Sequence, residues 1–459
     1  MAHVDTAPAP PSPTSIRRRL LSADADALVL AVFRIGFGAV MALSMLRFLL
    51  LGWVHTLYVA STFRFTYFGF GWVPMPPAWA IYALVLGALV FALGIAIGKA
   101  YRWMLLGFFL CFTYIELLDA TLYLNHYYLV TALCLLLFVL PLNADLVVGR
   151  VARTVPRWTI WALRLQVGLV YFYAGIAKLN ADWLVEAMPL RIWLAARGGL
   201  PVIGPLLDLD WMPWAMSWAG ATFDLSIAFL LAYRPTRKAA YALAVAFHGA
   251  TYVLFNIGIF PWMMMLVALV FFEADEFRAL GDRLCRFTRP RATAAQHGIH
   301  SVSMPVRLPR AAQLIAALLL AFQLAFPLRH GLYPGNHLWT EEGLRFAWHV
   351  MVVEKTGHTD FHVTHPATGR SWVIPPDDLT PEQEKQLSVQ PDFIWQYAQH
   401  VEQQFVAAGY DDVEVRAEAY VSFNGRRSQP LIDPAVDLTE APRTLGSRSW
   451  ILPHPAFSP

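Results

Sequence analysis

The chain has 459 residues; 57% are hydrophobic, only 15% are charged, and the net charge is +3. A water-soluble globular chain carries about a quarter charged residues, so most of this length is excluded from that class. No basic patch suited to nucleic acid is present. The three cysteines do not make a disulfide framework, because Cys111 and Cys134 lie inside apolar runs.

The first residues are rich in Pro, Ala and Ser and run into Arg17-Arg18-Arg19 and Asp24-Ala-Asp26. They read as a disordered cytoplasmic tail over 1–26, with no short apolar segment and cleavage site of a signal peptide. Apolar runs of membrane-spanning length then recur up to about residue 329. Spans are expected near 27–50, 78–98, 101–119, 124–142, 158–178, 213–232, 239–256, 258–272 and 309–328. The fold class is therefore a polytopic α-helical membrane bundle of about nine spans over 27–329. A small extracytoplasmic α+β, β-rich domain follows over 330–459. Loops rich in Arg and Lys, such as Arg150 to Arg157 and Arg278 to Arg307, alternate with loops holding only Arg64, Arg191 or Arg197. The positive-inside rule places the N-terminus in the cytoplasm and, with nine spans, the C-terminal domain outside.

Polar residues within the spans need partners in hydrocarbon. Arg34 lies in the first span, Arg164 and Gln166 in the fifth, Asp224 in the sixth and His248 in the seventh. A structural role is expected for Arg34, Arg164, Gln166 and Asp224, with Asp224 as a possible partner of either arginine. On the outer side, Asp119 to Tyr128 joins spans three and four and carries Asn125-His126. Asn125 offers a donor and an acceptor there, and the adjoining tyrosines suit a membrane interface. The run Phe255-Asn256-Ile257-Gly258 to Trp262 marks a tight reversal whose backbone must be buried or line a cavity.

The stretch Tyr171-Phe-Tyr-Ala-Gly-Ile-Ala-Lys178-Leu-Asn-Ala-Asp182-Trp183 is the organising feature. An ammonium at membrane depth costs about 3 to more than 10 kcal/mol, which marks Lys178 as a functional candidate. Burial disfavours the charged amine, and a neutral amine is a base. The alternative is that Lys178 reaches the interface and pairs with Asp182 one turn on.

From Pro334 the composition turns polar. Thr359 to Ile374 alternates as a hairpin around Pro366-Ala-Thr-Gly369, and Asp411 to Ser422 alternates before the turn Asn424-Gly425. Pro381 to Ala408 reads as a helix with Trp395, Val401 and Phe405 on its inner face. The stretch from Pro430 to Pro453 is expected to wrap the domain in extended form. The sequence has no Walker loop, Rossmann glycine pattern, zinc-ligand spacing or nucleophile elbow, and no metal is expected.

Taken together, these residues resemble the vitamin K-dependent gamma-glutamyl carboxylase family, whose membrane part is the horizontally transferred transmembrane (HTTM) domain. The likeness runs through Ala31-Val-Phe-Arg34, Asn125-His126, Arg164-Leu-Gln166, Tyr171 to Trp183, Asp224-Leu-Ser226, His248 and Phe255 to Phe260. It continues through Trp339-Thr340 to Trp348, Tyr420 to Asn424, Ile432-Asp-Pro434 and Ser449-Trp450. The resemblance implies an enzyme that couples epoxidation of reduced vitamin K by O2 to proton abstraction and CO2 addition at a glutamyl residue of a protein or peptide. It implies Lys178 as the base and Asn125 with His126 as the pair that steadies developing charge. Arg191 and Trp348 resemble residues near the glutamate, and His248 and Asn256 are candidates for substrate binding. Missing cysteines at the positions of the animal enzymes' interdomain disulfide, and a short C-terminus, resemble the bacterial members. The implied setting is a bacterial inner membrane, with the tail on the periplasmic side. Two other readings stay open: quinone epoxidation without carboxylation, and a non-catalytic membrane protein that binds a quinone or lipid.

Overall fold

A computed structural model describes residues 23–149, 151–255, 257–288 and 305–457. The first 22 residues, Arg150, Asn256 and residues 289–304 lie outside it, and with them parts of the expected cytoplasmic tail and basic loop.

Helices form at all nine apolar stretches: α1 (Leu28–Leu50), α2 (Ala78–Ile97), α3 (Tyr101–Leu118), α4 (Asn125–Val139), α5 (Arg157–Ala177), α6 (Met212–Ala232), α7 (Arg237–Leu254), α8 (Phe260–Val267) and α9 (Arg310–Ala325). Each packs on the next around a closed ring ordered α1-α2-α3-α4-α9-α5-α6-α7-α8 and back to α1. Only six helices among the described residues are long and apolar enough to cross a membrane: α1, α2, α3, α5, α6, and α9 with its continuation to Leu332. Length and composition thus support six of the nine expected spans. At 15 residues α4 reaches about 22 Å, against a hydrocarbon core of about 30 Å. Helix α8 has eight residues before it tightens into a 3-10 turn, and α7 opens on Arg237-Lys238.

The buried arginines are satisfied by backbone, not by Asp224. Arg34 donates to the carbonyls of Leu142, Ile95, Ala96 and Leu146 at 2.6–3.1 Å, tying α1 to the ends of α2 and α4. Gly98 ends α2 at φ +82°, and a Cβ there would lie 2.0 Å from the Arg34 guanidinium. Arg164 donates to the Val270 and Phe271 carbonyls and pairs with Glu273 at 3.0 Å. Carbonyls freed at helix ends are ready acceptors for a fork of N–H donors, so no carboxylate is needed at Arg34. Gln166 is buried in the same bundle, its amide nitrogen without a protein partner. The expected tail also ends sooner than residue 26, since Asp24–Asp26 (β1) pairs antiparallel with Thr154–Pro156 (β2).

Beyond the bundle lies a four-stranded antiparallel sheet ordered β4-β3-β5-β6, from β3 (Lys355–His365), β4 (Arg370–Ile374), β5 (Glu414–Phe423) and β6 (Gln429–Pro430). Along β5 every second side chain from Val415 to Phe423 is buried, as a sheet covered on one face requires. The single helix expected over 381–408 is two, α10 (Pro381–Leu387) and α11 (Pro391–Ala407), because Pro391 cannot continue a helix. A capping box of Thr380 and Gln383 opens α10. The inner face of α11 is Phe393, Ile394, Tyr397, Ala398 and Val401; Trp395 and Phe405 are only half-buried. The closing segment wraps the sheet as expected, Leu438 N–H bonding the Val415 carbonyl and Leu452 N–H that of Leu431.

The sheet region is docked on one end of the ring. Phe65 packs on Phe393 and Phe63 on Tyr397, both from a loop to which no role was assigned in the sequence. Gln383 donates to buried Asp119 at 2.6 Å. Asp182, the residue considered above as a partner for Lys178, instead takes a two-pronged contact from Arg426 at 2.8 and 2.6 Å and one from Asn424 at 2.8 Å.

Burial alone would raise the Asp182 carboxyl, but hydrogen bonds from Arg426 and Asn424 and the guanidinium charge outweigh it and hold it below the usual carboxylate range. Its stabilisation is therefore present above the unfolded value near 3.9 and is lost as pH falls through the lower folded value. We expect Asp182→Asn to weaken docking by about 3 kcal/mol, measured by limited proteolysis of the C-terminal region in detergent. The variant should also lose the wild type's loosening below about pH 4, whereas an unchanged acid profile would mean that another carboxylate controls docking.

Candidate functional site

Lys178 caps the C-terminus of α5. Close helix contact brings it an anion: a Cβ on Gly175 would stand 2.9 Å from the Leu225 backbone nitrogen, so only glycine lets α6 approach there. Asp224 on α6 thereby reaches Lys178, Nζ to Oδ2, at 2.9 Å, with both side chains buried. Nζ also donates to the carbonyl of Ala174 at 3.2 Å and to that of Val350, in the C-terminal region, at 3.4 Å. Three acceptors match the three donors of an ammonium. The Trp183 ring lies 5.2 Å from Nζ and adds its π face.

This pair forms part of the wall of an apolar pocket. Helices α5 to α8 and Trp183, Leu190 and Trp193 enclose it, and Val350-Met351 closes it. Its lining is apolar except for a few convergent polar groups, the usual build of a ligand site. Four lining residues bring polar, proton-bearing side chains: Lys178, Asp224, Tyr171 and His248. The Tyr171 hydroxyl and His248 Nε2 are 2.8 Å apart, so these two form a second polar point within the cavity.

Asn125 and His126 are not in this cavity but line a neighbouring one, with Arg47, Trp53 and Tyr127. The two share Ile257, Phe260, Val350 and Met351 as a common wall. Phe260 stands between the two histidines, its ring 5.7 Å from His126 and 6.2 Å from His248. One strip of backbone touches both cavities: Asn125 Nδ2 donates to the His349 carbonyl at 3.2 Å, one residue before the carbonyl that Lys178 holds. Tyr123 orients Asn125 by donating to its Oδ1 at 2.9 Å.

Other expected residues stand apart. Arg191 is exposed, with its guanidinium 5.1 Å from the Trp214 ring centroid, and does not line the Lys178 cavity. Trp348 is fully buried against Tyr128, its indole nitrogen unpartnered, so it anchors the strip within the bundle. Asn256 lies outside the described residues. Asp224, expected among the structural charges, belongs to the site. Opposite charges on consecutive apolar helices, Lys178 ending α5 and Asp224 within α6, were the signal for that pairing. Arg47, Tyr171 and Trp193 carry no such signal, since a side chain near a helix end reads the same whether it lines a cavity or faces lipid.

The arrangement can hold a flat apolar molecule against an amine–carboxylate pair, away from bulk water. Moving one proton along the 2.9 Å contact converts the ion pair into neutral amine and neutral acid, and low dielectric lessens the cost of that exchange. The amine lone pair is then available to a proton donor in the cavity.

Two family models match the chain: an HTTM domain over residues 23–275, and the lumenal domain of vitamin K-dependent gamma-carboxylase over residues 309–456. No solved structure matches significantly.

Breaking a buried pair strands the remaining charge. We therefore expect Lys178→Met and Asp224→Leu each to lower stability by about 3–5 kcal/mol in thermal unfolding in detergent. The double variant should cost less than the sum by roughly 1–3 kcal/mol; strict additivity would mean that the two side chains do not interact.

Proposed function

The chain belongs to the vitamin K-dependent gamma-glutamyl carboxylase family, as an integral membrane protein with an HTTM domain, and on that premise we propose that it carboxylates peptidyl glutamate at the expense of a reduced quinone. The observation that carries this reading is the Lys178 amine, paired with Asp224, on the wall of an apolar pocket that the C-terminal strip helps to line.

Vitamin K hydroquinone, as O2 converts it to the epoxide, supplies the strong base that removes the gamma proton of glutamate, and CO2 adds at that carbon. The residues present suit such a molecule: Phe247, Phe255, Phe260 and Trp193 offer ring faces, and Tyr171 with His248 offers a polar contact for a ring oxygen. Lys178, relieved of one proton by Asp224, takes the proton of the hydroquinone hydroxyl. His126 and Asn125, across Phe260, steady negative charge that develops on that side, as preorganised donors do in low dielectric. Closure by Val350-Met351 keeps water from a base that water would quench. Trp348 positions the strip from within the bundle. Arg191 serves, if anything, in recruiting the glutamyl peptide, since it stands off the cavity.

In this reading α4, α7 and α8 complete nine membrane passes, short ones included. The N-terminus is cytoplasmic and the sheet region, 330–459, extracytoplasmic, on the periplasmic side of a bacterial inner membrane. No metal takes part in the reaction.

Two other readings each have an observation in their favour. Arg191 lies off the cavity, so no guanidinium holds the glutamate at Lys178; that favours quinone epoxidation without carboxylation. The fully matched Lys178 ammonium favours a non-catalytic quinone- or lipid-binding protein, where the ion pair is structural.

The deciding experiment uses purified protein in detergent with vitamin K hydroquinone, O2, labelled bicarbonate and a glutamate-rich peptide, with Lys178→Ala as control. Carboxylation predicts epoxide and fixed label together, each reduced roughly 100-fold or more in the variant. Epoxide without label supports the epoxidase reading. Quinone binding that is equal in both proteins, with neither product, supports the binding protein.

A further inference from the structure

The strip that closes both cavities is held in an unusual conformation. Four non-glycine residues between 341 and 351 have positive φ: Glu341 at +63°, Phe346 at +62°, Trp348 at +61° and Met351 at +54°. Bulky residues rarely adopt this region, and it persists only where surroundings enforce it. Hydrogen bonds to Lys178 and Asn125 fix two carbonyls of the strip, and the Trp348 ring fixes one side chain. A third restraint lies beside them. His349 of the strip, His337 from the short helix His337–Thr340, and His330 from the 3-10 extension of α9 converge, with one ring nitrogen of each within 4.8 Å of the others.

We propose that His330, His337 and His349 bind one divalent transition metal ion of the Zn²⁺ class, which clamps the closing strip to the end of α9. His337 Nε2 and His349 Nε2 share a hydrogen bond of 3.0 Å, whose proton the ion would displace from Nε2. A tetrahedral ion with bonds of about 2.0 Å sets its ligands roughly 3.3 Å apart, so this pair already has the required spacing. A ring nitrogen of His330 lies within 4.8 Å of both. His330 has the outer-shell contact typical of a metal ligand: its Nδ1 lies 2.8 Å from the Pro327 carbonyl, which holds the proton on Nδ1 and leaves Nε2 as the free donor. Three imidazoles suit zinc, copper or nickel rather than magnesium or calcium. With three protein ligands one coordination position stays open, and water fills it. The ligand spacing, seven and then twelve residues, matches no common zinc motif, so no pattern along the chain marks the site.

The site is separate from the quinone reading and stands or falls without it. The test takes the full chain in detergent, purified without a polyhistidine tag, equilibrated with Zn²⁺ and dialysed into metal-free buffer. Metal is counted by mass spectrometry, and a Co²⁺-loaded sample is examined for the visible bands of tetrahedral coordination. The expected result is near one ion per chain and a melting temperature that falls on chelation. His330→Ala should weaken binding by at least the roughly 10–100-fold that loss of an outer-shell partner costs, and should lose the chelator effect. His358→Ala, at an exposed histidine elsewhere, should change neither. His330→Gln serves as a second variant if the alanine form folds poorly. No metal retained by the folded wild type overturns the proposal, as does equal metal in wild type and both His330 variants.

Discussion

An ammonium in a low-dielectric bundle has to have its protons matched, and the structure around Lys178 follows from that requirement. Asp224 meets one proton, the Ala174 carbonyl a second and the Val350 carbonyl the third. The first contact demands a glycine at 175 so that α6 can approach. The last demands that the C-terminal region fold onto the bundle, because Val350 is more than 170 residues along the chain. A buried charge that draws ligands from two helices and a distant strip forces these parts into one body.

The strip 341–351 is where bundle and sheet region meet functionally. It presents adjacent carbonyls to Asn125 and Lys178, buries Trp348 beneath itself and forms part of the walls of both cavities. Its left-handed residues cost roughly 1–2 kcal/mol each, which remote contacts must offset. Those contacts are plentiful: the Asp182–Arg426 pair, Gln383 on Asp119, and the Phe63 and Phe65 rings on α11. A vitamin K-dependent carboxylase-like membrane protein thus has part of its cavity wall in a strip whose geometry depends on contacts between the sheet region and the bundle.

Much of the helical framework was legible because apolar runs bounded by Pro and Gly leave few alternatives to a helix. The hairpin at Pro366 to Gly369 and the alternation of β5 were equally legible, since a one-faced sheet imposes a period of two. The break at Pro391 was visible as a residue and was missed as a boundary, because the amphipathic pattern runs through it. Partners were less legible. Arg34 and Arg164 were expected beside Asp224, whereas Arg34 is held by carbonyls exposed at helix ends and Arg164 by such carbonyls together with Glu273.

The sequence by itself determined that the chain is helical and apolar for two thirds of its length, that a small sheet domain follows, and that Lys178 is a costly residue needing a reason. Each of these rests on local chemistry: hydropathy, periodicity and the price of burying a charge. Only the tertiary structure decided that Asp224 and not Asp182 meets the lysine, that Arg191 stands off the cavity, and that three histidines converge on the strip. Those facts depend on helix rotation and on the path of a loop across a surface. Neither is encoded at any fixed spacing along the chain, because contacts between distant segments are set by the packing of everything between them.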